Sequence, residues 1–223
     1  MMEKDWTGLS QKELGKMEKI AKSAAKLFNE KGYLETSMDD VSSAAHLSKG
    51  GIYHYFSSKN EILFFISANF MDLLLKGPEE ELKRFEDCFS KIKYFISRHI
   101  QFYARYVSEA KTVIHEAHLL PPEYFKVIAD KERQYHQIVS DILFDYFEGN
   151  IPKDQLKTIA FILFGTCNGI YYWYDPRGSI TPQHLSEIIG DILCGGLRGF
   201  EKKRKINLVR KNRALTPALS KRY

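Results

Sequence analysis

Apolar residues recur at spacings of three and four over nearly the whole chain. Met17, Ile20, Ala21, Ala24, Leu27 and Phe28 form such a stripe, which predicts an amphipathic helix closed by Gly32. Thr36 and Ser37 precede Met38-Asp39-Asp40, a polar cap followed by acids in the first turn. A short second helix should therefore start there and end near Ala45. His46-Leu47-Ser48 reads as a tight turn, and Ser48 as the cap of a third helix over 49–55. Ser58 and Glu61 have capping-box spacing for a fourth helix reaching about Leu75. Gly77-Pro78 breaks the pattern and marks a domain boundary. Helical periodicity then covers roughly 79–103, 106–118, 122–148, 154–174 and 182–201, with Pro- and Gly-containing breakers between. The apolar run IAFILF at 159–164 suits a strand in isolation but lies inside a longer helical pattern. The prediction is an all-α fold of about nine helices. It comprises an N-terminal domain over 1–75, a larger helical domain over 76–201 and a C-terminal tail over 202–223.

Composition narrows the class. The chain has 223 residues, 44% hydrophobic and 27% charged, enough for one or two cored domains. No run of about 18 apolar residues suggests a membrane span, and the N-terminus lacks the apolar core of a signal peptide. Cys88, Cys167 and Cys194 are far apart with no Cys-x-x-Cys pair, which fits a reducing cytoplasm and neither zinc nor disulfides. The net charge of +5 is uneven. Residues 1–75 carry 9 Lys and Arg against 10 Asp and Glu, and residues 76–197 carry 14 against 17. Residues 198–223 carry 10 against 1, so the excess belongs to the C-terminus, as a solvated tail or a contact for a polyanion.

Three short helices with a tight turn between the second and third describe a helix-turn-helix unit, here about 37–56, whose third helix enters the DNA major groove. That reading accounts for the paired Gly50 and Gly51, since bulk at the mouth of a recognition helix holds the backbone away from the bases. Lys49 is placed for a phosphate or a guanine edge, and Tyr53 for a thymine methyl or a phosphate. His54 and Tyr55 can donate to phosphate oxygens. The helix start at Ser58, with Lys59 in its first turn, and the start at Thr36-Ser37 are expected to attract phosphate through their free N–H groups. Ser48 caps the recognition helix itself. Val41, Ala44, Ala45, Ile52 and Phe56 form the expected inward face.

The stretch AAKLFNEKGYLETSMDDVSSAAHLSKGGIYHYFSSKNEIL resembles the DNA-binding domain of the TetR family of bacterial and archaeal repressors. The resemblance runs from Ile20 to Leu63. It rests on Ala-Ala-x-x-Leu-Phe, Gly32-Tyr33, Thr36-Ser37, Leu47-Ser48-Lys49-Gly50, Tyr53, Tyr55-Phe56 and Ser58-Lys59. His46-Leu47 stands where the family usually has Gly-Val, so His46 must take an altered turn geometry. Gly51 stands where many members carry Ser or Thr. The resemblance implies a homodimer, joined by a four-helix bundle of the last two long helices, on a DNA operator of two-fold symmetry.

The middle helices mix large aromatics with Arg98, His99, Arg105, His115 and His118, the composition of apolar cavity walls with a few polar anchors. Asn168, then Trp173-Tyr174-Asp175-Pro176-Arg177-Gly178, then Thr181-Pro182, is similar to the C-terminal region of FadR-type, acyl-CoA-responsive TetR regulators, with Gly169 replacing a usual Trp. That similarity implies a long-chain acyl-CoA effector and control of fatty-acid metabolism genes. Phe102, Arg105, Tyr106, His115, Asn168, Tyr172, Trp173 and Arg177 are the candidate ligand residues. Enzyme motifs are missing. His115-Glu116-Ala117-His118 is one residue too short for a zinc helix, no Glu-x-x-His pair exists, and no phosphate-binding loop is found. No cofactor, metal or membrane partner is expected. The reading is a cytoplasmic, homodimeric repressor released by a small apolar effector. A multidrug-sensing repressor, a DNA-binding protein with no effector and a peripheral lipid-binding protein are the alternatives.

Overall fold

The computed structural model describes residues 6, 8–175 and 177–215. Those residues are helical, in eleven α-helices and one short 3-10 turn. Helix α1 (Gln11–Lys31) opens on a Ser10–Glu13 capping box and buries Met17, Ile20, Ala21, Ala24, Ala25 and Phe28. Its end is Gly32, at φ 94, where a Cβ would collide with the Glu35 carboxylate. Helices α2 (Met38–Ala44), α3 (Lys49–Tyr55) and α4 (Lys59–Leu75) follow as expected from their serine caps. Ile52, Phe56 and Val41 are buried against this unit, whereas Ala44 is exposed and Ala45 half-buried, so those two alanines are not part of its inward face. Most of α4 is buried, from Glu61 through Leu74, as its nearly unbroken apolar sequence requires.

Beyond Gly77, at φ 84, the elements depart from the simple periodic reading. The expected helix over 79–103 is two helices, α5 (Pro78–Leu82) and α6 (Cys88–Arg105). Asp87 restarts the chain by accepting from the Ser90 N–H at 2.9 Å. Then come α7 (Val107–Glu116), the 3-10 turn Ala117–Leu119 and α8 (Pro122–Tyr146). The expected helix over 154–174 also divides, into α9 (Lys153–Asn168) and α10 (Ile170–Trp173), on either side of Gly169. Helix α11 (Pro182–Leu215) starts under a Thr181 cap, with the His184 N–H 3.2 Å from its hydroxyl. It runs fourteen residues past the predicted end at 201. Thus 202–215 is helix and not a separate tail, and the rest of the predicted tail, 216–223, lies outside the described residues. The extension is explained by Glu201, which takes Arg204 at 2.8 Å and Lys205 at 3.3 Å one turn on. Arg204 also donates to the Asn150 carbonyl and lies over the Phe147 ring. Setting aside the short α5 and α10, nine helices remain among the described residues.

The chain forms two compact units, each assembled from several segments. The first contains Met1–Glu81, Phe102–Ile138 and Tyr171–Tyr174. In it α7 packs on α1 and α4, and Asn29 ties α1 to α7 by donating to the Ala25 carbonyl at 2.7 Å and the Ser108 carbonyl at 2.8 Å. Tyr124 of α8 stacks on Phe64 of α4 with centroids 4.3 Å apart. The second contains Leu82–Gln101, Val139–Ile170 and Asp175–Tyr223. Its core joins Phe95 to Phe164 and Phe147 to Phe200 edge-on, and Lys93 of α6 pairs with Asp191 of α11 at 2.6 Å. No helix among the described residues is long and apolar enough to cross a membrane.

Candidate functional site

Helices α2 and α3 meet through a turn built on His46, which adopts φ 55. The left-handed region is costly for a residue with a Cβ, and hydrogen bonds hold the turn in place. The Leu47 N–H reaches the Ser42 carbonyl at 3.0 Å, and the Ser42 hydroxyl returns to the Leu47 carbonyl at 2.7 Å. Ser48 then caps α3 by accepting the Gly51 N–H at 3.1 Å. Gly50 and Gly51 have ordinary helical backbone, so the fold does not demand glycine for its dihedrals. A Cβ on Gly50 would meet nothing within 4 Å, while one on Gly51 would lie 3.2 Å from the Ser48 hydroxyl. The openness at Gly50 is therefore turned outward, on the same exposed end that carries Ser48 and Lys49. Tyr53 and His54 are exposed and Tyr55 half-exposed, with the His54 and Tyr55 rings edge-on at 4.9 Å.

Three lysines near this unit are engaged. Lys31 pairs with Asp40 at 2.7 Å, and Asp40 also closes a capping box with Ser37. The Lys31 ammonium and the Ser37 donors hold the Asp40 carboxyl well below its usual range. Lys49 pairs with Asp39 across the α2–α3 turn at 3.1 Å, which raises the lysine's pKa. Lys59 is different in kind. Its ammonium donates to the carbonyls of Tyr33, Leu34 and Thr36 at 2.5, 3.1 and 2.8 Å and sits 4.4 Å from the Tyr33 ring centroid. Burial lowers its pKa, and pushes that of Tyr33 up to about 12 with help from the Glu116 charge. Lys59 is a brace for the α1–α2 loop, not a free first-turn charge. Thr36 likewise leaves the contact set: it is buried, its hydroxyl donates to the Gly32 carbonyl at 2.7 Å and its N–H to the Tyr33 carbonyl at 3.3 Å. The expected Ser58–Glu61 capping box is half formed. Ser58 accepts the Glu61 N–H at 3.2 Å, but the Glu61 carboxylate takes the N–H and hydroxyl of Ser57 instead.

The candidate ligand residues are divided between the two units. Phe102, Arg105, Tyr106, His115, Tyr172 and Trp173 belong to the first, and Asn168 and Arg177 to the second. Phe102 stacks on Tyr106 at 5.8 Å, and the exposed Arg105 lies 5.5 Å from the Tyr106 ring. His115 meets Tyr171 and Tyr172 edge-on at 5.1 and 6.0 Å. Tyr172 and Trp173 are 74% and 62% exposed, so neither side chain walls an enclosed cavity. Arg177 is turned onto Asp175, with Nε–Oδ1 3.0 Å and Nη2–Oδ2 3.1 Å, and stands in solvent. Tyr106 lines a cavity of about 250 Å³ in the first unit with Glu18, Lys22, Phe70 and Glu109. A groove of about 460 Å³ in the second unit, between α6 and α11, contains none of the eight. Asn168 has a partner outside the eight candidates. Its Oδ1 is 2.9 Å from Nε2 of His99, which is buried beside Phe95 and Phe164. The signal for His99 was its place in the mixed aromatic and basic run of α6; its pairing with Asn168 is a tertiary fact. Among the described residues no group of His, Cys, Asp or Glu has the arrangement of a metal site.

Two family models match this chain. Residues 20–65 match the bacterial regulatory proteins of the tetR family, and residues 87–197 match a tetracyclin repressor-like C-terminal domain. The chain belongs to the TetR family. As a member it is a DNA-binding transcriptional regulator and not an enzyme. Among its relatives, the transcriptional repressor KstR2 of Mycobacterium tuberculosis is 25% identical over 186 residues, covering 78% of this chain and 88% of that protein. A TetR-family regulator from Bordetella parapertussis superposes with a TM-score of 0.76 at 25% identity, over 79% of this chain and 93% of that one. AibR, solved in complex with isovaleryl coenzyme A and operator DNA, shares the fold with a TM-score of 0.69 at 23% identity, over 79% and 97%.

Proposed function

We propose that this TetR regulator is a homodimeric repressor that leaves its operator when a fatty acyl-CoA binds its helical domain, and that it controls fatty-acid metabolism genes. The observation that carries the DNA half is the outward vacancy at Gly50 beside Lys49, on a capped helix whose other face is sealed by Ile52 and Phe56. Glycine there costs helix stability of about 1 kcal/mol and nothing inside the protein requires it. Close approach to a base edge does. Ser37, Ser48, Lys49, Gly50, Gly51, Tyr53, His54 and Tyr55 make up the contact face, with phosphates at its margins and bases opposite Lys49 and Tyr53.

Dimerisation is supported by an uncovered stripe on the second unit. On α9 Thr158, Phe161, Ile162 and Gly165 are exposed at helical spacing, with Phe161 and Ile162 more than half exposed. On α11 Ile188, Ile192, Gly195 and Gly199 are exposed in the same way, and the glycines have open space above them. Apolar side chains alternating with glycine suit close helix packing against a second copy, giving an isologous bundle. Two recognition helices about one DNA turn apart, roughly 34 Å, then read a two-fold operator.

The effector half rests on the Trp-Tyr-x-Pro-x-Gly similarity, on the acyl-CoA held by AibR, and on the aromatic and histidine groups of α6, α7 and α9. The ligand must favour a conformer with a different spacing of recognition helices; a thousandfold preference, about 4 kcal/mol, suffices to empty the operator. The test is a titration of the protein–DNA complex, on DNA from upstream of its own gene, with acyl-CoAs of several lengths, free fatty acid and an aromatic cation. Release by acyl-CoA alone supports the reading. Release by the cation alone replaces it with a multidrug sensor, and binding that no effector disturbs leaves a DNA-binding protein without one.

A further inference from the structure

Helices α1, α4 and α7 do not close on one another completely. Between them, inside the first unit, lies the cavity of about 250 Å³. Its floor is apolar: Ala21 of α1 and Ile66 and Phe70 of α4 are all buried. Its rim is polar. Glu18 and Lys22 stand one turn apart on α1, Asn69 lies on α4, and Tyr106 and Glu109 are at the start of α7. Among the described residues, the side chains of Glu18, Lys22, Asn69 and Glu109 make no hydrogen bond or ion pair. The helix dipole accounts for a carboxylate at Glu109, in the first turn of α7, but not for Glu18 in the body of α1. Asn69 is a half-buried carboxamide in a largely apolar helix, turned to the cavity without a partner. Unpaired polar groups converging on an apolar floor describe a ligand site.

We propose that this cavity binds a small organic cation, an ammonium group on an apolar body of one ring or a short branched chain. It is a second site, independent of the acyl-CoA reading: of the eight candidates for that ligand it contains Tyr106 alone. Charge selects the class. Two carboxylates against Lys22 leave one negative charge on the rim, which a neutral or anionic ligand leaves uncompensated. The rings of Phe70 and Tyr106 also favour a cation through their π-faces. Arg105 lies 5.5 Å from the Tyr106 ring but does not line the cavity. Size limits the body, since drug-sized sites begin at about 300 Å³. The apolar floor gives water few partners, so an apolar body covers it better. The walls are held before any ligand arrives. Phe70 is edge-on to Tyr103 at 5.5 Å, Tyr106 is stacked on Phe102, and Asn29 ties α1 to α7, so binding orders little. An occupant touches α1 and α4, the helices that enter and leave the helix-turn-helix, and so braces the DNA-binding unit itself.

The experiment uses the full chain and three probes of one shape and different charge: benzylammonium, benzyl alcohol and benzoate. Calorimetry and thermal melts follow binding to wild type, Glu18→Gln, Glu109→Gln, the double glutamine variant and Ala21→Leu, whose larger side chain fills the cavity. Benzylammonium should bind saturably, one per chain, and raise the melting temperature by about 3 to 5 °C at about ten times its dissociation constant. The alcohol and the benzoate should bind at least about tenfold more weakly. Each glutamine should weaken benzylammonium about threefold and the two together about tenfold, and Ala21→Leu should abolish its binding. If the melt shows Ala21→Leu unfolded, the glutamine variants at exposed and half-exposed positions decide alone. No saturable binding of benzylammonium, equal binding of the three probes, or full affinity in the double glutamine variant would overturn the proposal. So would full affinity in a folded Ala21→Leu. Failure of the acyl-CoA reading looks different: acyl-CoA would not release the operator, and the benzylammonium results would stand.

Discussion

Helices α3 and α4 begin alike. Each has a serine cap, Ser48 or Ser58, followed at once by a lysine, Lys49 or Lys59. From the local pattern both lysines are first-turn cations ready for a phosphate. In the folded chain they do opposite things. Lys49 stands in solvent against Asp39, while Lys59 points inward, spends its donors on Tyr33, Leu34 and Thr36, and stacks on the Tyr33 ring. The difference comes from what precedes each helix in space. The α1–α2 loop, with Gly32 at φ 94 and Tyr33 buried on Phe28, leaves carbonyls without helical partners, and Lys59 is the group that reaches them. A capped Ser-Lys start is thus neutral between binding and bracing until tertiary structure decides.

Replacing each lysine separates the two roles. Lys49→Ala should lower operator affinity about tenfold to a hundredfold, measured by anisotropy, with the melting temperature nearly unchanged. Lys59→Met should do the reverse: chemical denaturation should show a loss of about 2 kcal/mol, from three carbonyls left without their charged donor. If Lys49→Ala unfolds the protein, or Lys59→Met leaves stability intact, the comparison is wrong. A smaller effect sharpens the picture of the turn between α2 and α3. His46→Gly relieves the left-handed residue and should stabilise by about 1 kcal/mol, provided that the turn keeps its Ser42–Leu47 bonds.

The smallest effect concerns Asp40, which faces solvent with Lys31 and Ser37. Its folded pKa is depressed below the ordinary carboxyl value of 3.8, so its stabilisation is fully present above that value and fades as pH falls beneath it. The stability gap between wild type and Asp40→Asn should therefore be constant from neutral pH to about 5 and close in stronger acid. A gap that widened on acidification would show that the Lys31–Ser37–Asp40 cluster acts otherwise.

These same residues show what the sequence made legible. Caps are written in four consecutive positions, so Ser37, Ser48 and the Thr181 start of α11 were readable, and with them the helix-turn-helix unit. The altered turn at His46 followed from its place where glycine is usual. The breaks after Leu82 and at Gly169 were not readable, because apolar periodicity continues across both and local bonds such as Asp87–Ser90 end the register. The end of α11 was misplaced for a related reason: a run of lysines and arginines looks solvated, yet Glu201 and the Asn150 carbonyl hold its start in helix. Effector residues were the least readable. Aromatic composition marks the helices but not which rings turn inward, and Tyr172, Trp173 and Arg177 turn out.

The most direct test of the central claim, that the mouth of α3 is shaped for DNA at the expense of its own stability, is the paired measurement of folding and operator binding for Gly50→Ala. A Cβ there meets nothing inside the protein and alanine favours the helix, so stability should rise by about 0.5 to 1 kcal/mol. Operator affinity should fall at least tenfold, because the added methyl lies where the backbone must approach the base pairs. A variant that gains stability and binds its operator as tightly as wild type would contradict the account.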